Sequence, residues 1–407
     1  MTDPQPPFQP HGVPPDLTYD ARPEALRSLQ RHLDHPGTIH AISAPPGFGK
    51  TTLLRRLETA TADRHDIVAL NARLGANNIA ELTNGLHDHR EQRSWWARLV
   101  KPDVQSVTVG VNAGVAKAEA KLGAHLAETE LVDRLTALAT HAAKHDRSAV
   151  IVIDDATHLT RDELAHITHA VTTVAHDGRP ISAVLAGRPA LAGDLAEAGA
   201  DIARVRFQAL GPFTPTATHT TLIQPLAELG YEINPRAASH LIEAAAGNPH
   251  MAHRLGATIT TRIDPAWPLD TNYARAAVLS VHRDLQAGYW PAHWQRATPP
   301  ERAVLAAVVA RGQTFEFEAV IGRALNNPAT VTEVVDGLVG AGVLTRDRGE
   351  LAMTMPGLDR YLDRTMDLAP LRDTISAAAL SPQHQAAPTL TPSHERRPTL
   401  QPPGIDL

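Results

Sequence analysis

The 407-residue sequence has no cysteine, which excludes disulfides, thiol nucleophiles and cysteine-ligated zinc and fits a reducing compartment. It has no His-Glu-x-x-His motif. With 22 histidines, close pairs such as His87/His89 and His166/His169 arise by chance, so no metal site is assigned to them. No apolar run reaches the ~18 residues that a membrane span needs. The opening MTDPQPPFQPHG lacks the basic start and apolar core of a secretory signal. A cytoplasmic location is therefore the default expectation. The net charge is −6, so no global positive field draws the chain to nucleic acid or anionic lipid, and any contact with DNA has to be local. What remains is an ordinary globular balance, 43% hydrophobic and 20% charged, over a length that suggests two to three domains at roughly 150 residues each.

Residues 1–15 hold six prolines and read as a disordered, proline-rich tail, and so do residues 376–407. Between them the apolar pattern changes character. A helix over 22–33 precedes a short strand, 38–43, a Pro/Gly-rich loop, 44–49, and a helix from about Lys50 with Leu53, Leu54 and Leu57 inward. Further strands read over 66–71 and 181–186, and the continuous apolar run Ala149–Ile153 suits the middle of a parallel sheet covered on both faces. Strands alternating with helices predict a doubly wound α/β domain over 16–211. Its awkward part is about 73–128, ahead of a helix predicted over 129–144. This stretch holds Trp95, Trp96 and an alternating segment, 104–115, and reads as an insertion containing a β-hairpin that either packs on the domain or meets a partner.

Residues 212–266 read as a small all-helical domain. One helix is punctuated by Asn234 as N-cap, Pro235 at the first position and Gly247 at the end. A helical linker, 267–297, carries Trp267, Tyr289, Trp290 and Trp294. Over 298–366, Thr298 to Glu301 suggests a capping box. A helix carrying Val304, Leu305, Val308 and Val309 follows, then helices over about 317–325 and from near Pro328, and then two short strands flank a polar turn. Three helices and a β-wing predict a winged helix.

The chemistry is concentrated in Ala44-Pro-Pro-Gly-Phe-Gly-Lys-Thr-Thr52. A loop that binds phosphate needs backbone N–H groups turned into a concave nest and a helix N-terminus facing the anion. Pro46, Gly47, Phe48, Gly49, Lys50, Thr51 and Thr52 occupy those places, with Lys50 as the point charge and the Thr51 hydroxyl as a ligand for Mg²⁺. Ala44 stands where the strict pattern has glycine. Lys50 is also the only lysine among the first 100 residues. The strand Ala149–Ile153 ends in Asp154, assigned to the metal, and Asp155, assigned to the attacking water or else a structural acid. Arg188 follows the strand 181–186 and is either a phosphate contact or a surface arginine. Arg204 and Arg206 are either arginine fingers toward a neighbouring subunit or partners of nearby acids.

These residues resemble the P-loop ATPases of the AAA+ and STAND groups, in the branch similar to origin-recognition initiators and transposition helper ATPases. The likeness spans most of residues 16–366. Tyr19 to Glu24 resembles the opening motif whose arginine, here Arg22, lies near the adenine. Residues 44–52 look like a Walker A loop and 151–155 like a Walker B strand in an Asp-Asp form. Residues 185–191 look like a sensor strand, and Gly247-Asn-Pro249 like the STAND Gly-x-Pro motif of the lid, which brings Pro249 to the nucleotide. The second-sensor arginine position falls near His250, with Arg254 one turn further on. The resemblance implies ATP and Mg²⁺ as ligands, low turnover and a nucleotide-dependent homo-oligomer. It also implies a switch coupled through the winged helix to an unidentified protein partner. The alternative is a regulator that uses the winged helix on duplex DNA. This is disfavoured by the helix face Thr330, Thr332, Glu333 and Asp336, and by eight arginines against nine acids over 296–366.

Overall fold

A computed structural model describes residues 8–9, 22–88, 116–311, 328–347 and 350–380. Helix α1 (Pro23–Leu33) starts on a proline, which loses nothing at a position where no amide partner is available, and buries Leu29 and Leu33. Strand β1 (Ile39–Ser43) runs into the Pro/Gly loop and helix α2 (Lys50–Thr61), and β2 (His65–Asn71) follows. Helices α3 (Asn78–Asp88) and α4 (Ala116–Ala143) lead to β3 (Ser148–Asp154). Helix α5 (Arg161–His176) precedes β4 (Ile181–Gly187), and α6 (Leu191–Glu197) precedes β5 (Val205–Ala209). The strands form one parallel sheet in the order β2-β3-β4-β1-β5.

Side chains of β3 alternate between two cores. Ala149, Ile151 and Ile153 pack with α3, α4 and α5 on one face, and Val150 and Val152 with α1 and α2 on the other. This two-sided burial is why the strand reads as one unbroken apolar run. The phosphate-loop candidate leaves the C-terminal end of β1, where the chain's next strand is not its neighbour in the sheet. Open parallel sheets bind ligands at such a crossover point.

Three elements depart from the sequence reading. The stretch expected to be an insertion over 73–128 contains α3, whose Ile79, Leu82 and Leu86 are buried in the domain core. Three apolar residues among Asn77, Asn78, Thr83 and Gly85 made its periodicity faint. Helix α4 begins at Ala116 rather than 129, while Trp95, Trp96 and the expected hairpin over 104–115 lie outside the described residues. Strand β5 was not predicted, because its edge position leaves Arg206 and Phe207 exposed.

Past β5, a helical run from Pro215–Thr218 through His219–Ile223 to Gln224–Glu228 precedes α7 (Pro235–Ala245) and α8 (Pro249–Arg262). Asn234 caps α7 through its side chain, as expected, and Gly247 takes a φ of +69° just beyond it. Helix α9 (Thr271–Asp284) and a π turn, Leu285–Tyr289, lead to α10 (Trp290–Arg296). Helices α11 (Pro299–Arg311) and α12 (Pro328–Gly340) come next, then the antiparallel pair β6 (Leu344–Asp347) and β7 (Glu350–Met353). Helices α13 (Leu358–Thr365) and α14 (Ala369–Leu380) follow. The helix expected over 317–325 lies outside the described residues. The capping box at Thr298 is only half made. Its amide donates to the Glu301 carboxylate as a capping box requires, while its hydroxyl also donates to that carboxylate.

All of these C-terminal elements share one apolar cluster that runs from Leu222 to Ile375 around the fully buried Trp290. Two corrections concern the expected tails. Helix α14 takes in residues 376–380, and Phe8, 4% exposed, is a member of the C-terminal cluster. The Phe8 ring lies where a Cβ on Gly256 would be, about 2.3 Å away, and meets the His253 ring edge-on. Only a residue without a side chain leaves room for it.

Candidate functional site: the phosphate loop and the cavity above it

The turn after β1 is set by two glycines with positive φ, Gly47 at +79° and Gly49 at +83°. Side chains are strained in that conformation, and it turns successive amides toward one concavity. Phe48 contributes backbone only, since its ring is buried in the α1/α2 core. Ala44 fits in place of the usual glycine because it is fully packed, with its amide bonded to the Gly187 carbonyl at 3.1 Å. Gly49 then caps α2, so the free amides of the first turn lie at the loop.

Lys50 is 8% exposed. Its ammonium donates to the carbonyls of Ala44 at 2.9 Å and Pro45 at 3.2 Å. Burial lowers its pKa, with Arg188 adding to that effect and Asp154 and Asp155 opposing it. Thr51 donates its hydroxyl to Asp154 Oδ2 at 2.5 Å. Asp154 is buried at the end of β3, and burial raises its pKa against the Thr51 hydrogen bond. This pairing of a hydroxyl and a carboxylate oxygen suits a hard cation that takes few protein ligands and keeps its waters. Asp155 holds a φ of +52°, uncommon for a residue with a side chain. Its amide donates to Asp154 Oδ1 at 3.0 Å. Beside this pair, the strand register places Asn71 next to Asp154, and the Asn71 Oδ1 is buried without a partner among the described residues. The sequence reading missed Asn71; its signal is a polar residue at the end of the strand adjacent to β3.

Two further segments close on the loop from the C-terminal side. At the start of α8 the His250 amide donates to the Gly47 carbonyl at 3.2 Å, and a Cβ on Gly47 would stand 3.1 Å from the His250 Cβ. Pro249 is buried beside it. Asn248 caps α8 through Met251 and donates its side-chain amide to the Thr354 carbonyl at 3.0 Å. The second segment follows α12. There Gly342, with φ +73°, packs so tightly that a Cβ would lie 2.8 Å from Pro46 Cδ and 2.9 Å from Pro45 Cα. The Gly340 carbonyl accepts from the Ala190 amide at 3.1 Å. A cavity of about 280 Å³ remains between these parts, lined among others by Pro46, Gly47, Arg188, His250, Arg254 and Tyr289.

The structure thus gathers Pro46 to Thr52, Asp154, Asp155, Arg188 and Pro249 at one place. Arg22 is held on the segment that leaves β5 at the loop's end of the sheet, whereas Arg204 and Arg206 lie toward the other end of that strand. Arg22 donates to the Gly211 carbonyl at 2.6 Å and stacks over Phe213, clamping α1 to the segment entering the C-terminal region. Arg204 ends the short turn before β5, and Arg206 is the second residue of β5, level with His40 of β1. The phosphate loop leaves the opposite end of β1, roughly 16 Å away along the strand. Arg204 bonds His176 at 2.9 Å and Asp201 at 3.3 Å.

Residues 33–194 match the family model described as an AAA domain. Among solved structures, the chain is similar to the Walker-type ATPase of Pyrococcus abyssi. The TM-score is 0.60 at 15% identity, and the match covers 87% of this chain and all of that one. It also matches Cdc6p from Pyrobaculum aerophilum, with TM-score 0.44, 16% identity, and coverage of 91% of this chain and 96% of that one. A third match is the Orc1 protein of Aeropyrum pernix in complex with DNA, with TM-score 0.42, 16% identity, and 90% and 95% covered. No curated protein matches the sequence. The α/β unit has a P-loop NTPase fold, and it is the part of the chain that the AAA-domain model matches.

Proposed function

We propose that this P-loop AAA+ protein is an ATP-dependent switch, which binds and slowly hydrolyses ATP with Mg²⁺ and couples nucleotide state to its C-terminal domain. The observation that carries this reading is the seating of Gly342 on Pro45 and Pro46. A phosphate loop that is also a docking surface transmits any change in its occupancy to the domain resting on it. In this reading Lys50 and the amides of residues 46–52 hold the phosphates, and Thr51 and Asp154 would hold Mg²⁺, which supplies charge neutralisation there. Asp155 orients water, and Arg188 contacts the terminal phosphate. Aspartate is one C–C bond shorter than glutamate, about 1.5 Å, which fits slow turnover. Arg204 acts, if at all, toward a neighbouring copy of the chain in a nucleotide-dependent oligomer.

Helices α11 and α12 with the β6–β7 hairpin fit a winged helix that meets a protein partner. Duplex DNA suits it poorly. Glu333 and Asp336 are exposed on α12, and Arg346 of the hairpin is held by Asp336 at 2.8 Å. The test is equilibrium binding of ATP to the full chain and to Lys50→Ala. Loss of one charge-assisted contact to phosphate predicts a drop of roughly 10- to 100-fold. Unchanged affinity overturns the site assignment.

A further inference from the structure

We propose that helix α10 completes the phosphate-reading site: Arg296 and His293 join Arg188 and Arg254 in a cationic cradle for the terminal phosphate of the bound nucleotide. This rests on the nucleotide reading above and adds residues from a segment that it leaves without a role. The cavity above the phosphate loop is lined on one side by Pro46 and Gly47 and on the other by Arg188, Arg254, His293 and Arg296. These four come from the β4–α6 turn, α8 and α10, three segments far apart in sequence. Electrostatic neighbours trace the connection: Arg188 acts on Lys50 and also on His293, which in turn feels Arg296. Arg254 acts on the Tyr289 hydroxyl, and the Tyr289 ring meets His293 at 4.7 Å.

Arg188, Arg254 and Arg296 form no ion pair among the described residues. The only acid among the described residues lining this cavity is Glu301, whose carboxylate is engaged by the Thr298 amide and hydroxyl. Three guanidinium groups around one concavity, in a chain of net charge −6, repel one another unless an anion lies between them. The His293 imidazole, its pKa lowered by burial and by the arginines, adds a ring N–H donor. Guanidinium forks match phosphate oxygens in pairs. The loop already provides amides and a lysine for the inner phosphates, so the cradle falls to the outermost one, which ATP has and ADP lacks.

The test compares affinities of the full-length protein for fluorescent N-methylanthraniloyl ATP and ADP. Arg296 is exposed, so Arg296→Gln leaves packing intact. The expected result is a roughly tenfold loss for the ATP analogue, no change for the ADP analogue, and recovery of most of the loss in Arg296→Lys. His293→Gln lowers the same ratio. If Arg296→Gln leaves both affinities unchanged, or weakens both equally, the cradle is refuted while nucleotide binding through Lys50 stands. A wild-type protein that binds neither analogue overturns both.

Discussion

The α/β unit and the C-terminal region bury their apolar residues in opposite ways. In the first, a sheet divides the interior into two cores, and alternate residues of one strand belong to different ones. In the second, a single cluster passes without a break through α7 to α14. The difference teaches that helical punctuation marks where elements end and says little about which elements share a core. The stretches expected as lid, linker and winged helix share Trp290 and its neighbours. They are therefore packed as one body, and the phosphate loop lies where that body meets the α/β unit.

The strongest way to break this comparison is Trp290→Ala. The indole is 1% exposed, stacks near His282 and Tyr361, and covers Gly357. Its removal should cost about 3–5 kcal/mol. Chemical denaturation followed by residue-specific hydrogen exchange should show the loss across α7 to α14, with the β1–β4 strands protected as before. Equal loss in both regions would mean one cooperative unit. A smaller effect is expected at the seam. Gly342→Ala combines a positive φ with a close approach to the two prolines, at about 1–3 kcal/mol. Stopped-flow measurement should find nucleotide released roughly tenfold faster. Gly340→Ala, whose methyl would meet Ala190 at an ordinary 3.4 Å, should leave the rate unchanged.

The smallest contrast is in acid. Each region buries one histidine whose pKa is pushed down from 6.5 to about 4, His40 in β1 and His253 in α8, in both cases chiefly by burial. The unfolded chain takes up these protons first as pH falls. Stability is thus complete above pH 6.5 and declines toward pH 4. Thermal midpoints at pH 7 and pH 5 should fall in both regions together. A fall confined to one would single out which histidine governs acid sensitivity.

The sheet was legible because two-sided burial leaves long apolar runs such as Ala149–Ile153, and the loop was legible because its chemistry is contiguous in the sequence. Helix α3 and strand β5 were not, since each buries too few residues to show a period. The cradle was hidden for another reason. Arg254 was reached only through the family resemblance, one turn past the expected position, and no local pattern distinguishes Arg296 from a surface arginine until α10 is folded over the loop. The same holds for Gly342, whose lack of a side chain answers to prolines almost 300 residues earlier.

Phe8 gives the molecule a second connection between the α/β unit and the C-terminal cluster. Its ring is anchored in the C-terminal cluster, whereas Arg22 and α1 are fixed to the α/β unit. The thirteen peptide units from Gln9 to Arg22 reach no more than about 45 Å. With the covalent passage after β5, the α/β unit and the C-terminal cluster are thus connected at two places in the chain. Complete separation of the two would first have to pull the aromatic plug from its glycine socket.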